Sequence, residues 1–210
     1  MIIMKLNLPT VFLIFVFAYV SCTDNKTNDP APVKIDTPVV NIQPTNSFTP
    51  VDISPMDMVY FPVDYPVLKM TQKNIAPPVA RVIYSRPHRE GRKIFGELLK
   101  YGEPWRLGAN EATEIEFFKS VNIQGKSVKA GRYVLYCIPN AENWIIALNS
   151  NTYSWGLKIP QENDVNRFTI PVENLHASTE FFTMFFEETE TGADLVMTWD
   201  NLMTRLPLKF

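Results

Sequence analysis

Side chains that can recognise a ligand are concentrated between residues 84 and 113. The sequence reads Tyr-Ser-Arg-Pro-His-Arg-Glu-Gly-Arg over Tyr84–Arg92 and Trp-Arg-Leu-Gly-Ala-Asn-Glu over Trp105–Glu111. Guanidinium groups on loops shaped by glycine and proline suit bidentate recognition of a carboxylate or phosphate, and tryptophan faces suit stacking. The candidate ligand-binding residues are therefore Arg86, Arg92, Trp105, Arg106, Asn110, Glu111, Trp144 and Trp155.

These residues are consistent with two non-catalytic interpretations. In the first, Trp105–Glu111 forms the floor of an open pocket, in which Arg106 binds an anion and Asn110 reads a hydroxyl group. Trp144 and Trp155 then stack against the ligand, for example a glycan. In the second, a buried network of arginine, asparagine and glutamate side chains holds the loops in place and binds nothing. The sequence alone leaves both open.

A third interpretation is an envelope hydrolase that acts on glycans or esters. Glu111 would supply the carboxylate, and Arg106 would stabilise the developing negative charge. Glu114 and Glu116 can complete a carboxylate pair for glycoside hydrolysis, but they share one face of a predicted strand, as solvated charges also do. The chain has no Gly-x-Ser-x-Gly, phosphate-loop or dinucleotide motif, so a non-catalytic function is favoured.

Neither the histidines nor the cysteines indicate a metal or a cofactor. His88 and His176 have no metal-type spacing, and no second cysteine lies near Cys137. Cys137 follows Tyr-Val-Leu-Tyr in an apolar run, which predicts a buried strand residue rather than a nucleophile. The net charge of −2 gives no electrostatic reason to expect nucleic acid as a partner.

A protein-interaction module is a further alternative, and it rests on the segment Phe181–Phe186. Both faces of this predicted strand are apolar, with Phe181 and Phe185 on one side and Phe182 and Phe186 on the other. One face belongs in the core. The other is covered by the N-terminal segment or docks a partner.

The first 22 residues are typical of a signal peptide. The apolar run Val11–Val20 is about 15 Å long as a helix, which is too short to cross a membrane. Tyr19-Val-Ser-Cys22 resembles the lipobox of bacterial lipoproteins, with Tyr19 in place of the usual Leu. We therefore expect a lipid on Cys22 that anchors the protein to a membrane, the outer membrane of the cell envelope being favoured. Ordinary signal cleavage, which gives a periplasmic or secreted protein, is the alternative.

The rest of the chain divides by composition into a tether and a domain. Ten of the 17 prolines lie between residues 30 and 78, while all eight glycines and all eight arginines follow residue 79. Residues 23–50 are rich in Pro, Asn and Thr and too poor in apolar residues to fold, which predicts a disordered tether. Residues 51–210 form the predicted domain.

Short apolar segments separated by turn residues predict an all-β fold for this domain. Eight or nine strands spaced by about 10 to 15 residues, without long helical patterns, favour an antiparallel β-sandwich. One short helix is predicted over Arg92–Leu99. The predicted strands are Ala80–Ser85, Thr113–Phe118, Val121–Lys126, Gly131–Ile138, Asn143–Leu148, Phe168–Val172, Thr179–Glu187, Leu195–Trp199 and Leu202–Leu208, with an edge strand at Val59–Phe61.

Spaced motifs between residues 84 and 167 link the chain to a known family. They are Tyr84-Ser-Arg-Pro, Gly91-Arg-Lys-Ile-Phe-Gly, Tyr101-Gly-x-x-Trp-Arg-x-Gly-Ala-Asn-Glu-Ala-Thr, Ala130-Gly-x-Tyr, Ile138-Pro, Trp144, Asn149, Trp155-Gly and Asp164-Val-x-Arg167. From about Ser54 to its C-terminus, the chain resembles domain of unknown function 2911, found in secreted proteins and lipoproteins of Gram-negative bacteria. Leu107 stands where that family usually has Thr. The resemblance implies a β-sandwich and an extracytoplasmic location, but no established activity.

Overall fold

The computed structural model of the protein describes residues 52–210. The signal segment 1–22 with Cys22, and the tether 23–50, lie outside the described residues and remain predictions. The described part contains strands β1 Met56–Phe61, β2 Ala80–Ser85, β3 Glu114–Phe117, β4 Val121–Ile123, β5 Lys126–Val128, β6 Gly131–Pro139, β7 Asn143–Asn149, β8 Asp164–Thr189 and β9 Gly192–Lys209, helix α1 Tyr65–Thr71, and the 3₁₀ helix Gln161–Asn163.

The nine strands form one sheet in the order β1-β2-β3-β6-β7-β8-β9-β4-β5. Every neighbouring pair is antiparallel, and the sheet does not close on itself. The predicted all-β antiparallel class, with eight or nine strands and one short helix, is confirmed.

Strand β8 lets the sheet fold over on itself. Its first part pairs with β7 up to Pro171, and the remainder pairs with β9 from Val172 onward. Although β1 and β8 are five positions apart in the sheet, the rings of Phe61 and Phe186 lie 6.1 Å apart. The two halves of the sheet therefore face each other like the layers of a sandwich.

The core lies between these two halves and follows the alternation of side chains along the strands. Its large members contribute about 1.5 to 3 kcal/mol each by leaving water. Fully buried core residues of the central strands include Val82 and Tyr84 of β2, Leu135 and Cys137 of β6, Trp144, Ile146 and Leu148 of β7, Phe182 and Met184 of β8, and Leu195 and Met197 of β9.

Two pairs of predicted strands each form one longer strand in the structure. Phe168–Val172 and Thr179–Glu187 both belong to β8, and Leu195–Trp199 and Leu202–Leu208 both belong to β9. The pairing of β8 with β9 shifts register between Asn174 and Thr179 and again before Thr183, and Asp200 has a positive φ of 54°. Polar residues that indicate turns in the sequence therefore form bulges instead. A bulge bends a strand but lets pairing resume beyond it.

The predicted helix at Arg92–Leu99 is wrong. This segment is a loop whose Ile94 and Phe95 are buried in the core. Gly96 has a φ of +86° next to the ring of Tyr101, a conformation that interrupts a helix. The α-helix lies at Tyr65–Thr71 instead. Pro66 is in its first turn, where a proline is tolerated because the first N–H groups of a helix have no acceptor within the helix.

The segment Phe181–Phe186 of β8, which is apolar on both faces, is only partly covered on its outer face. The face with Phe182 and Phe186 is the one that points into the core. On the other face the ring of Phe181 packs 3.9 Å from that of His88 and lies under the guanidinium of Arg86. Phe185 keeps 39% of its surface exposed, so the apolar face is too small for a large docking surface.

Candidate functional site

An open pocket of about 430 Å³ lies at the end of the sheet where the loops around residues 86–110 meet. Arg92, Trp105 and Arg106 line it, so three of the eight predicted residues meet there. The volume is within the range of about 300 to 1,000 Å³ usual for small-molecule sites. The pocket is therefore the candidate functional site.

The floor of the pocket is the edge of an aromatic cluster formed by Phe95, Trp105, Trp144, Phe182 and Trp199. Trp105 and Trp199 stack with their ring centroids 5.7 Å apart, and both line the pocket. Trp105 is held by two backbone hydrogen bonds with Cys137 of β6, of 2.7 and 2.9 Å. A rigid aromatic floor results, because each ring is fixed by several neighbours.

The loop after Trp105 is fixed to β2 and to its own turn. The hydroxyl of Ser85 accepts a hydrogen bond from the N–H of Ala109 at 2.7 Å, and that of Thr113 donates to the carbonyl of Leu107 at 2.6 Å. A side chain at Gly108 would meet the Ser85 hydroxyl at 2.9 Å, which explains the glycine. Leu107 is completely buried, so an apolar residue is suited to this position.

The segment Trp155-Gly156 approaches the pocket from the other side. Gly156 has a φ of +87°, and a Cβ there would lie 2.9 Å from the Cβ of Arg106 and 3.0 Å from that of Ala112. Only glycine fits this approach without strain. The close packing brings the carbonyl of Trp155 within 3.4 Å of the Arg106 guanidinium, as a weak acceptor.

Arg106 is a pocket cation without a carboxylate. It forms no ion pair with any residue of 52–210, and its one side-chain hydrogen bond within that range is the long contact to Trp155. Partial burial lowers the pKa of its guanidinium, because a desolvated cation is less stable. Most of its five donors are therefore free to meet an anion.

Arg92 lines the same pocket, but its guanidinium is engaged. It donates to the carbonyls of Arg89, at 2.9 Å, and His88, and it lies 3.9 Å from the carboxylate of Glu90. Its side chain therefore fixes the loop and contributes less positive charge to the pocket than Arg106 does.

Arg86 and Asn110 do not line the pocket and are engaged in internal contacts. Arg86 pairs with Asp57 at 3.2 Å and donates to the hydroxyl of Thr183 at 3.0 Å. Asn110 has a φ of 60°, and its amide donates to the carboxylate of Asp52. For these two residues the geometry matches the second interpretation, a network that holds the loops.

The other three candidates are also outside the pocket lining. Glu111 is exposed on the loop surface. Trp144 is fully buried in the aromatic cluster and is not accessible for stacking on a ligand. Trp155 is 56% exposed, and it is the neighbouring Gly156 and Leu157 that line the pocket.

Most of the described residues match a known protein family. Residues 67–208, more than half of the chain, match the model of the family described as "Protein of unknown function (DUF2911)". The chain belongs to this family. The resemblance is thereby confirmed from residue 67, and the segment 54–66 precedes the match. No curated protein and no solved structure matches the chain.

Motif residues of this DUF2911 chain also form a second polar cluster, which we call the Asp164 network. The Asp164 carboxylate accepts hydrogen bonds of 2.7 Å from the Tyr136 hydroxyl, the Asn149 amide and the Arg167 Nε. Arg167 also donates to Gln161 at 2.6 Å. Hydrogen bonding to Asp164 raises the pKa of Arg167, and burial raises the pKa of Tyr136. Every member has a partner, so this network is structural.

Sequence reasoning missed several residues of the pocket. Trp199 reads only as part of an apolar strand, Ile53 and Leu157 as isolated apolar residues in loops, and Leu98 as part of the predicted helix Arg92–Leu99. His88 also lines the pocket, but it indicates no site without a metal spacing. The one usable signal was Trp155-Gly156, because a glycine beside a tryptophan in a polar loop indicates a close backbone approach.

Other chemistry finds little support in the part of the chain that is described. Residues 52–210 contain no group of three or more His, Cys, Asp or Glu side chains arranged to hold a metal ion. Cys137 is completely buried, and burial raises the pKa of its thiol, which disfavours the reactive thiolate. No helix between residues 52 and 210 is long and apolar enough to span a membrane.

A second cavity of about 440 Å³ lies between β1 and α1. Met58, Tyr60, Tyr65, Pro66, Lys69 and Met70 line it. Lys69 is the one charged residue among them, and none of the predicted site residues takes part. It therefore lacks the convergent polar groups that mark a specific site.

Proposed function

We propose that this domain is a non-catalytic binding module that holds a small ligand with an anionic group in the pocket beside Arg106. The observation that carries the proposal is a partly buried guanidinium at an open pocket, with no carboxylate partner among residues 52–210. Buried cations are normally paired, so one that faces a cavity is suited to an anion from outside.

The surroundings of Arg106 support the same function. Gly156 packs against the base of its side chain, and the loop that carries it is tied to β2 through Ser85. A guanidinium held in this way loses little conformational freedom on binding, which favours affinity. Arg92 and the aromatic floor complete a pocket of small-molecule size.

No observation favours the hydrolase. Glu111 is exposed and outside the pocket lining, so it does not meet Arg106 across a common cavity. Glu114 and Glu116 pair with Arg132 and Arg81 along the surface of the sheet. The interaction module has less support as well, because Arg86 and His88 cover Phe181.

Calorimetry of the full chain with two pairs of probes tests the function. The pairs are 3-phenylpropionate with 3-phenylpropan-1-ol, and glucuronate with glucose. Each pair differs in charge but retains its body. We expect the anion that binds to do so about tenfold or more tightly than its neutral twin, because a charge-assisted hydrogen bond contributes about 1.5 to 3 kcal/mol.

Arg106→Gln should remove this preference, whereas the matched control Arg132→Gln, on the surface of β6, should retain it. Anions that bind no better than their neutral twins, or a preference that survives Arg106→Gln, would contradict the proposal. Retained folding of both variants is checked by their unfolding curves in urea.

We also propose that the protein is a cell-envelope lipoprotein anchored through Cys22. The support is the apolar run Val11–Val20 followed by Ser21 and Cys22. In fractionated cells the wild-type chain should sediment with membranes, and Cys22→Ala should move it to the soluble fraction. An unchanged distribution of the variant would exclude a lipid anchor at this residue.

A further inference from the structure

We propose that the ligand of the Arg106 pocket is a monoanion with a flat or extended apolar body, such as an aromatic or short acyl carboxylate, and not a sugar acid. This inference rests on the proposed function and specifies the chemistry of the ligand. It follows from the charges, the indole groups and the rim of the pocket.

The charges of the pocket accommodate a single anionic group. Glu90 and Arg92 are the other charged side chains of the lining besides Arg106, and they lie 3.9 Å apart. Their charges offset one another, and Arg92 is hydrogen-bonded to the carbonyls of its own loop. Arg106 then carries the one uncompensated charge, and its planar fork matches a carboxylate.

The floor of the pocket offers hydrocarbon rather than hydrogen-bond donors. The indole N–H of Trp105 donates to the carbonyl of Gly108 at 3.1 Å, and that of Trp199 to the carbonyl of Glu180 at 3.2 Å. Neither group is left to bind a ligand hydroxyl. An apolar body loses no hydrogen bonds on such a floor, whereas a sugar would leave water-bonded hydroxyls unpaired.

The rim of the pocket is also apolar, and no side chain of residues 52–210 covers it. Ile53 and Leu157 are each 75% exposed and Leu98 is 46% exposed, and all three line the pocket. Three such side chains around one cavity bury apolar area only when a ligand with an apolar body enters.

The two predicted residues best suited to bind a sugar hydroxyl, Asn110 and Glu111, lie outside the lining, whose polar side chains besides Arg106 are Ser54, His88, Glu90 and Arg92. Among the predicted residues, Asn110 is the amide best suited to a hydroxyl pair, and it donates to Asp52 outside the pocket lining. Glu111 is outside the lining too. Specific sugar sites need several such polar groups around a stacking face.

Comparison of the two anions, at equal charge, tests the ligand class. The full chain is titrated with 3-phenylpropionate and with glucuronate. We expect 3-phenylpropionate to bind about tenfold or more tightly, because its ring leaves water against the aromatic floor. Leu98→Ser and Leu157→Ser should each weaken its binding about threefold to tenfold. Val165→Ser, a matched change at a 48% exposed residue of β8 outside the pocket, should not.

The other outcomes distinguish a wrong ligand class from a wrong proposed function. If glucuronate binds as tightly or more tightly, and Arg106→Gln removes its binding, the ligand class is wrong while the anion-binding function stands. Equal effects of Val165→Ser and the two leucine variants also overturn the inference. If neither anion binds more tightly than its neutral twin, the proposed function and this inference are both wrong.

Discussion

Arg106 and Arg167 both donate to the segment that connects β7 to β8, but among residues 52–210 only Arg167 pairs with a carboxylate. Arg167 reaches the carboxylate of Asp164 and the amide of Gln161, at 2.7 and 2.6 Å. Among residues 52–210, Arg106 reaches only the carbonyl of Trp155, at 3.4 Å. The presence of a carboxylate within reach, rather than the arginine itself, separates a structural network from a binding site.

The same difference appears in what surrounds each charge. The Asp164 network is closed, since every polar atom of its carboxylate is used and Tyr136 is fully buried. The Arg106 side chain lines a cavity of about 430 Å³. We therefore expect the closed network to control stability and the open site to control binding, which three sets of variants can test.

Asp164→Ala should have the largest effect. Removal of the carboxylate leaves the Tyr136 hydroxyl, the Asn149 amide and the Arg167 Nε without their acceptor, which should lower the free energy of unfolding by about 2 to 4 kcal/mol. Urea titration measures the loss. Glu162→Ala, in the neighbouring 3₁₀ helix, is the control and should change the value by no more than about 0.5 kcal/mol. A loss below about 1 kcal/mol for Asp164→Ala would show that the network is not structural.

Gly156→Ala should have an intermediate effect and should act on both stability and binding. The added methyl group meets Arg106 and Ala112 at a φ of +87°, so the free energy of unfolding should fall by about 1 to 3 kcal/mol. Gly91→Ala is the matched control, because its φ of +70° is similar but nothing lies within 4 Å. It should cost about 1 kcal/mol and leave 3-phenylpropionate binding unchanged. Equal losses for both variants would mean that backbone strain alone, and not the contact with Arg106, matters at this position.

Arg106→Gln should have the smallest effect on stability. No residue of 52–210 loses an ion pair, so the free energy of unfolding should stay within about 0.5 kcal/mol of the wild type. Arg86→Gln should cost about 1 to 2 kcal/mol, because Asp57 loses its ion pair, Thr183 loses a donor and Phe181 loses part of its cover. If the two variants lose the same stability, Arg106 belongs to a structural network and the comparison fails.

The fold class could be predicted because alternation and turn residues are local signals. The segments of β2, β6 and β7 appear in the sequence with nearly their observed bounds. The continuity of β8 and β9 could not be predicted, since bulged pairing depends on the partner strand. The helix at Tyr65–Thr71 was missed because a high proline content favours an extended chain over a helix.

The site could be predicted only in part, because pairing across the fold decides which arginine is free. Asp57 and Thr183 lie 29 and 97 residues from Arg86 in the chain, and no local pattern connects them. Trp105 and Arg106 line a pocket, in keeping with their place in a loop rich in glycine and proline, and their role in ligand binding stays a prediction. The burial of Trp144 could not be predicted, since burial by the opposite layer depends on how the sheet folds.

The wall of the pocket includes residues that precede the first strand, and this has a mechanical consequence. Asp52 accepts a hydrogen bond from Asn110, and Ile53 and Ser54 are part of the pocket lining. Because residues 52–54 precede β1, a force applied at Asp52 would act on this hydrogen bond and on the pocket wall before it reaches the first strand.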